Sequence, residues 1–274
     1  MRLISGSARL AGVIGWPVGH SRSPRIHGTW LNRYAIDGAY IPLPVAPENF
    51  EHLVRALVYA GFAGANVTIP HKEAAYALCD RLEASALRAG AVNMLAFENG
   101  VITGANTDGY GFVANLRGHG VDPAAGPALV LGAGGAARAI AAALQDAGAA
   151  VTMCNRNSDR AVALAQHLAP AQVLPWGQRA SALADFALVV NTTSLGMSGE
   201  PPLEISLAQA NKNLVVADIV YAPLHTPLLV EARALGLKPV EGLGMLLHQA
   251  VPAFAKWFGV TPEVDAALYE VVAA

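Results

Sequence analysis

Leu129-Val130-Leu131-Gly132-Ala133-Gly134-Gly135-Ala136-Ala137 decides the reading of the fold. A short apolar strand, Ala128–Leu131, runs into a glycine turn, and an Ala-rich helix follows to about Ala147. Gly132 permits a tight turn, Gly134 lets backbone approach a pyrophosphate, and a small Ala137 allows close helix–strand packing. The helix N-terminus adds orphan N–H groups and partial positive charge. Placed after a strand and before a helix, the motif reads as a dinucleotide loop, with Gly132, Gly134, Gly135 and Ala136 against the phosphates.

The next strand, Ala149–Cys154, leads into Asn155-Arg156-Asn157-Ser158-Asp159-Arg160. An NAD site wants a carboxylate about 20 residues beyond the glycines, to accept from the ribose 2′-OH. The strand tip has none. Arg156 and Arg160 stand there, four apart, and the guanidinium fork suits a phosphate. NADP is therefore the expected cofactor.

Outward from this centre the chain alternates strand and helix. Leu10–Ile14, Ala39–Leu43 and Ala65–Thr68 read as strands. Glu48–Ala60, Lys72–Cys79 and Leu82–Ala89 read as helices, and a further helix starts near Pro24 with Ser23 as its cap. Asn93–Glu98 and Val101–Gly104 form a hairpin around Asn99-Gly100. Asp159–His167 is helical, Leu188–Asn191 and Val215–Ile219 are strands, and the chain from about Glu241 is mostly helical. Alternation of this kind predicts parallel α/β sheets. Gly118–Pro127, rich in Gly and Pro, reads as the turn joining two domains.

Composition sets bounds. The 274 residues suffice for two domains, and a 54% apolar, 14% charged chain folds without help from disulfides or metals. A net charge of −2 gives no field for nucleic acid or an anionic membrane. No apolar run has the length of a membrane span or a signal peptide, so a cytoplasmic protein is expected. Cys79 and Cys154 are expected to be free core thiols. No His-Glu-x-x-His or Cys-x-x-Cys supports a metal, and no Gly-x-Ser-x-Gly supports a hydrolase. His20, His71 and His248 are read as wall or structural residues, and Met245 and Leu246 as core.

Other segments stand out. In the first half they are Gly15-Trp16-Pro17-Val18-Gly19-His20-Ser21-Arg22-Ser23-Pro24, Asn66-Val67-Thr68-Ile69-Pro70-His71-Lys72, Ala91-Val92-Asn93 and Asn106-Thr107-Asp108-Gly109. Later come Asn191-Thr192-Thr193-Ser194-Leu195-Gly196-Met197, Asp218-Ile219-Val220-Tyr221 and Gly242-Leu243-Gly244-Met245-Leu246-Leu247-His248-Gln249-Ala250. Ser21 and Ser23 lie two apart, so an extended loop turns both hydroxyls the same way. Hydroxyls both donate and accept, which suits a polyhydroxylated ligand. Hydride transfer to a ketone needs a proton or a cation at the developing alkoxide. Lys72 and Asp108, the latter in a tight loop before Gly109, are the candidates.

In this order and combination, from Gly15 to Gln249, the motifs resemble the shikimate dehydrogenase family. The resemblance implies an α/β fold of two domains: an N-terminal α/β substrate-binding domain (1–117) and a Rossmann-type NADP-binding domain (118–240). C-terminal helices (241–274) would return to the first domain. It implies NADPH-dependent, reversible reduction of 3-dehydroshikimate to shikimate, an oxidoreductase step toward chorismate and the aromatic amino acids. Lys72 and Asp108 would form the catalytic dyad, how they share the proton being open. Ser21 and Ser23 would meet the substrate carboxylate, Thr68, Asn93 and Gln249 the ring substituents, and Tyr221 would lie near the cleft. Asn155, Asn191, Thr192, Ser194, Met197, Ile219 and Gly242 would join the cofactor side. The partner is a small molecule, neither nucleic acid nor membrane; assembly stays open, a homodimer being compatible. Two rivals remain: a paralogue acting on quinate, or on both quinate and shikimate, with NAD as its cofactor in one form of that reading, and a catalytically silent NADP-binding regulator.

Overall fold

The computed structural model describes residues 3–274. The described residues divide into two compact units, one of residues 3–107 with 249–274 and one of 108–248.

The first unit holds a six-stranded sheet in the order β2-β1-β3-β5-β6-β4. Its strands are β1 (Arg9–Gly15), β2 (Gly38–Pro44), β3 (Gly64–Val67), β4 (Arg81–Leu82), β5 (Met94–Glu98) and β6 (Val101–Ala105). Helices α1 (Ser23–Arg33), α2 (Phe50–Tyr59), α3 (Lys72–Leu78) and α4 (Ala84–Ala89) connect them. The alternation predicted a parallel sheet, but this one is mixed: β3 with β5 and β5 with β6 are antiparallel. The hairpin forces this, because Asn99 (φ 53°) and Gly100 (φ 80°) make a two-residue turn with both φ positive. Leu82, expected in a helix, lies in β4.

α1 carries a buried aromatic face. The His27 ring stacks on Tyr40 at 3.9 Å, with Trp30, Phe254 and Trp257 around it. Neither ring nitrogen of His27 has a hydrogen-bond partner among the described residues. Burial pushes its pKa down to about 3, a weak contribution from Asn66 opposing this. Below the ordinary imidazole pKa the unfolded chain takes up a proton that the folded chain refuses, so stability is full above about pH 6.5 and is lost as pH falls toward 3. Between pH 6.5 and 4 that amounts to roughly 3 kcal/mol. Urea midpoints measured across this range should fall more steeply for the natural chain than for His27→Phe. Identical slopes would show that the buried imidazole is not the cause.

The second unit holds a fully parallel sheet in the order β12-β11-β10-β7-β8-β9. Its strands are β7 (Ala128–Leu131), β8 (Val151–Cys154), β9 (Gln172–Val173), β10 (Leu188–Asn191), β11 (Val215–Asp218) and β12 (Lys238–Val240). Helices α5 (Asp108–Gly118), α6 (Gly135–Asp146), α7 (Ser158–His167) and α8 (Pro227–Ala234) flank it. Counting within the unit, the order is 6-5-4-1-2-3, the doubly wound Rossmann arrangement. The order reverses between β7 and β10, so the loops leaving those two strands bound the crevice where such sheets take ligands. The helices α9 (Gly242–Phe258) and α10 (Ala266–Ala273) end the chain.

Three expectations about organisation change. Gly118–Pro127 joins α5 to β7 inside the second unit and does not link the two. The chain passes between units at Thr107–Asp108, and again at His248–Gln249 within α9, instead of near 117 and 240. The cause is α5, which packs on α6. A Cβ on Gly109 would stand 2.5 Å from the Ala139 carbonyl oxygen, and Phe112 and Leu116 join the core of the second unit. Among the described residues no helix is long and apolar enough to cross a membrane.

Candidate active site

In the first unit the site is built where β1 and β3 end. Thr68 N–H donates to the Ile14 carbonyl at 2.9 Å, and a Cβ on Gly15 would stand 2.5 Å from the Thr68 methyl. Glycine at 15 is thus what lets the two strand ends close beside Thr68. His71 N–H donates to the Thr68 carbonyl, and α3 begins at once with Lys72. The Lys72 carbonyl accepts from Val92 N–H at 3.0 Å, which fixes the helix start against the segment carrying Asn93.

Asn93 is buried, and its amide is held from two sides. Its Oδ1 accepts from Thr107 N–H at 2.8 Å, and its Nδ2 donates to Thr107 Oγ1 at 3.0 Å and Gln249 Oε1 at 3.3 Å. Its backbone carbonyl accepts from Asn66 Nδ2, and Asn66 Oδ1 accepts from the Tyr40 hydroxyl at 2.7 Å. The structure therefore brings Asn93 and Gln249 together. Asn66, Thr107 and Tyr40 support them, roles the sequence reading did not assign. Asn66 and Thr107 did stand inside the quoted motifs. Tyr40 gave no signal, since an aromatic in a strand reads as core.

Two expectations about the serine loop are corrected. Ser23 is not the cap of α1: Arg22 holds that place, its side chain making no capping bond, and Ser23 is already helical. The two hydroxyls do not line one side of an extended loop. Ser21 Oγ accepts from Ser23 N–H at 3.3 Å, as a turn requires, and Ser23 is buried near Tyr40. Asp108 is likewise not in a loop. It is the first residue of α5 and buried, where a helix N-terminus favours a carboxylate.

In the second unit the glycine turn behaves as the spacing predicts. Gly132 has φ 121°, and a Cβ there would stand 2.4 Å from Thr192 Oγ1, so the loops leaving β7 and β10 meet only because the residue is glycine. Thr192 Oγ1 donates to the Leu131 carbonyl at 2.7 Å. Gly134 caps α6 with an ordinary φ of −89° and open space where a Cβ would go. Nothing internal demands glycine at 134, which is the condition of a position kept clear for a ligand. Gly135 and Ala136, half-buried, open α6 with N–H groups that precede the first helical acceptor. Arg160 Nη2 donates to the Ala133 carbonyl at 3.4 Å, which brings that guanidinium to the glycine turn. Arg156 is exposed in the loop before α7, so the pair does not share a helix face. Asn155 Nδ2 donates to the Asn157 carbonyl and shapes this loop. These residues fit a dinucleotide bearing a 2′-phosphate.

Thr192, Ser194 and Met197 follow β10, and Ile219 and Tyr221 follow β11. Gly242 packs α9 onto the end of β11, a Cβ there meeting the Ile219 carbonyl at 2.4 Å. Asn191, expected to face the cofactor, is wholly buried and ties loops instead. Its partner Asp218 went unassigned in the sequence. Burial pushes the Asp218 pKa up to about 6 against three hydrogen bonds that lower it. Raised in this way, the anion costs about 3 kcal/mol of stability near neutral pH, a cost that disappears as pH falls below about 4.

The remaining expectations can be placed. His71 Nε2 pairs with the Val45 carbonyl at 2.9 Å and its ring stacks on Phe50. His20 is exposed and His248 half-buried, while Met245 lies in the core of the second unit. Cys154 is buried but Cys79 only partly so; desolvation pushes their thiols up to about 11 and about 12. Among the described residues no group of three His, Cys, Asp or Glu is placed to hold a metal ion.

Comparison with known proteins covers nearly the whole chain. Residues 13–95 match the shikimate dehydrogenase substrate binding domain, 122–222 the shikimate / quinate 5-dehydrogenase family, and 242–268 the shikimate 5'-dehydrogenase C-terminal domain. The chain is 70% identical over 272 residues to the shikimate dehydrogenase (NADP(+)) of Acidiphilium cryptum, covering 99% of this chain and 98% of that protein. It is similar to the crystal structure of shikimate 5-dehydrogenase from Thermus thermophilus in complex with NADP(H) and shikimate. That likeness has TM-score 0.89 and 36% identity over 96% of this chain and 98% of the other. It also resembles quinate dehydrogenase from Corynebacterium glutamicum in complex with NAD, with TM-score 0.89 and 30% identity over 96% and 98%.

Proposed function

Since the chain belongs to the shikimate dehydrogenase family, we propose that it reduces 3-dehydroshikimate reversibly to shikimate with NADPH. The observation that carries the cofactor half is the glycine turn with Arg160 drawn to it and no acidic residue at the tip of β8. The first unit serves as the substrate domain and the second as the NADP domain.

Bound NADPH supplies the hydride. The chain supplies everything else. Lys72, as its ammonium, gives a proton to the ketone oxygen as negative charge develops there, and regains one from solvent afterwards. Asp108 balances the ammonium and accepts from a ring hydroxyl. Ser21 and Ser23 donate to the substrate carboxylate. Thr68, Asn93 and Gln249 meet the ring hydroxyls, the last two pre-set by their bonds to each other and to Thr107. Tyr221 completes the substrate contacts. Gly132, Gly134, Gly135, Ala136, Asn155, Arg156 and Arg160 hold the phosphates and adenosine end. Thr192, Ser194, Met197, Ile219 and Gly242 shape the nicotinamide side. A cytoplasmic enzyme fits this reading, and a homodimer is compatible with it.

Steady-state rates with shikimate or quinate, each with NADP or NAD, test it. The expected result is a kcat/KM with shikimate and NADP at least about tenfold above every other pair, the worth of one well-placed polar contact. A preference for quinate with NAD would support the paralogue, and no turnover with any pair would support a silent binding protein.

A further inference from the structure

Asp218 ends β11 with its side chain almost wholly buried, and no step of the reaction uses it. Its Oδ1 accepts from Asn191 Nδ2 and from Val220 N–H, both at 3.0 Å. Its Oδ2 accepts from the Thr226 hydroxyl at 2.7 Å. Asn191 extends the tie: its Nδ2 also donates to the Leu195 carbonyl, and its Oδ1 accepts from the N–H and hydroxyl of Thr193. Thr226 is in turn the N-cap of α8, its Oγ1 accepting from Leu229 N–H. One carboxylate thus joins three segments: the loop after β10, the loop after β11 and the start of α8. A second tie, Ser198 N–H to the Ala222 carbonyl at 2.8 Å, runs between the same two loops.

These loops carry the residues assigned to the nicotinamide side, whereas the glycine turn and Arg160 serve the adenosine end. Burying an anion opposes folding, and an apolar residue would serve a merely structural strand end better. We propose that Asp218 is a positioning residue for the nicotinamide half of the cofactor, acting through Asn191 and Thr226 to hold the loops after β10 and β11 in register. The inference rests on the second unit being the NADP domain.

The test compares Asp218→Asn, Thr226→Val and Thr226→Ser in the full chain. The readouts are NADPH affinity, kcat with shikimate, and affinity for adenosine 2′,5′-bisphosphate, which spans the adenosine end alone. Asp218→Asn and Thr226→Val should each weaken NADPH binding and lower kcat by about tenfold, as for one lost hydrogen bond to a charged group. Their bisphosphate affinity should stay within about twofold of the natural chain, and Thr226→Ser should restore both losses. If Asp218→Asn does not fold, the threonine pair carries the test, since serine keeps the hydroxyl and valine does not. Unchanged NADPH affinity and kcat in Thr226→Val would overturn the proposal. So would a parallel loss of the bisphosphate, or a serine variant as impaired as the valine one. A natural chain that binds neither NADPH nor the bisphosphate would end the underlying reading, and the proposal with it.

Discussion

Lys72→Ala is expected to lower kcat about a thousandfold while shikimate and NADPH still bind within a few-fold of their natural affinities. General acid catalysis is worth roughly 10²–10⁴, and the lost ammonium also stabilised the developing alkoxide. The structure makes the variant informative. The Lys72 backbone carbonyl accepts from Val92 N–H, and alanine keeps that bond and suits a helix start. Thermal unfolding should therefore move little. Lys72→Arg keeps the charge but cannot give up a proton near neutral pH, so it should recover part of the loss and stay far below the natural chain. A Lys72→Ala protein with near-natural turnover would remove Lys72 from the chemistry.

The second large effect concerns the cofactor. Removing both Arg156 and Arg160 should raise the KM for NADPH about a hundredfold and leave that for NADH nearly unchanged. A hydrogen bond to a charged group contributes about 1.5–3 kcal/mol, and both side chains are exposed, so the lower end applies to each. Arg160→Ala alone should account for the larger share, because Arg160 already reaches the Ala133 carbonyl of the glycine turn. Salt should narrow the difference, as for any exposed phosphate contact. Equal losses for NADPH and NADH would place the two arginines elsewhere than at a 2′-phosphate.

What the sequence made legible was local. Parallel strands buried on both faces appear as short apolar runs, so Ala128–Leu131, Leu188–Asn191 and the strand from Val215 could be read within a residue. The glycine turn was legible because its demands are backbone demands, made within nine residues. What escaped depends on distant partners. α5 was missed because Gly109, Gly111 and Gly118 argue against a helix; only the approach of Ala139 explains the first of them. With α5 went the position of Asp108 and the division between units. The mixed first sheet was missed because the alternation was read as parallel throughout, although the hairpin itself was recognised. Asp218 is a single carboxylate at a strand end, and its meaning lies in Asn191 and Thr226, 27 residues before it and 8 after. The amide cluster of Asn66, Asn93, Thr107 and Gln249 shows the same limit: the motifs held every member, but only the fold shows which amide holds which.

The central claim is that the chain delivers a hydride from NADPH to the ketone carbon of 3-dehydroshikimate. Turnover with NADPH deuterated on the nicotinamide ring, read by mass spectrometry and NMR of the product, tests this most directly. The expected product is shikimate carrying deuterium on the carbon that held the ketone, from the deuterated face of the ring only. Reduced cofactor left unconsumed, or a product whose deuterium lies elsewhere or is absent from both faces' labels, would contradict it.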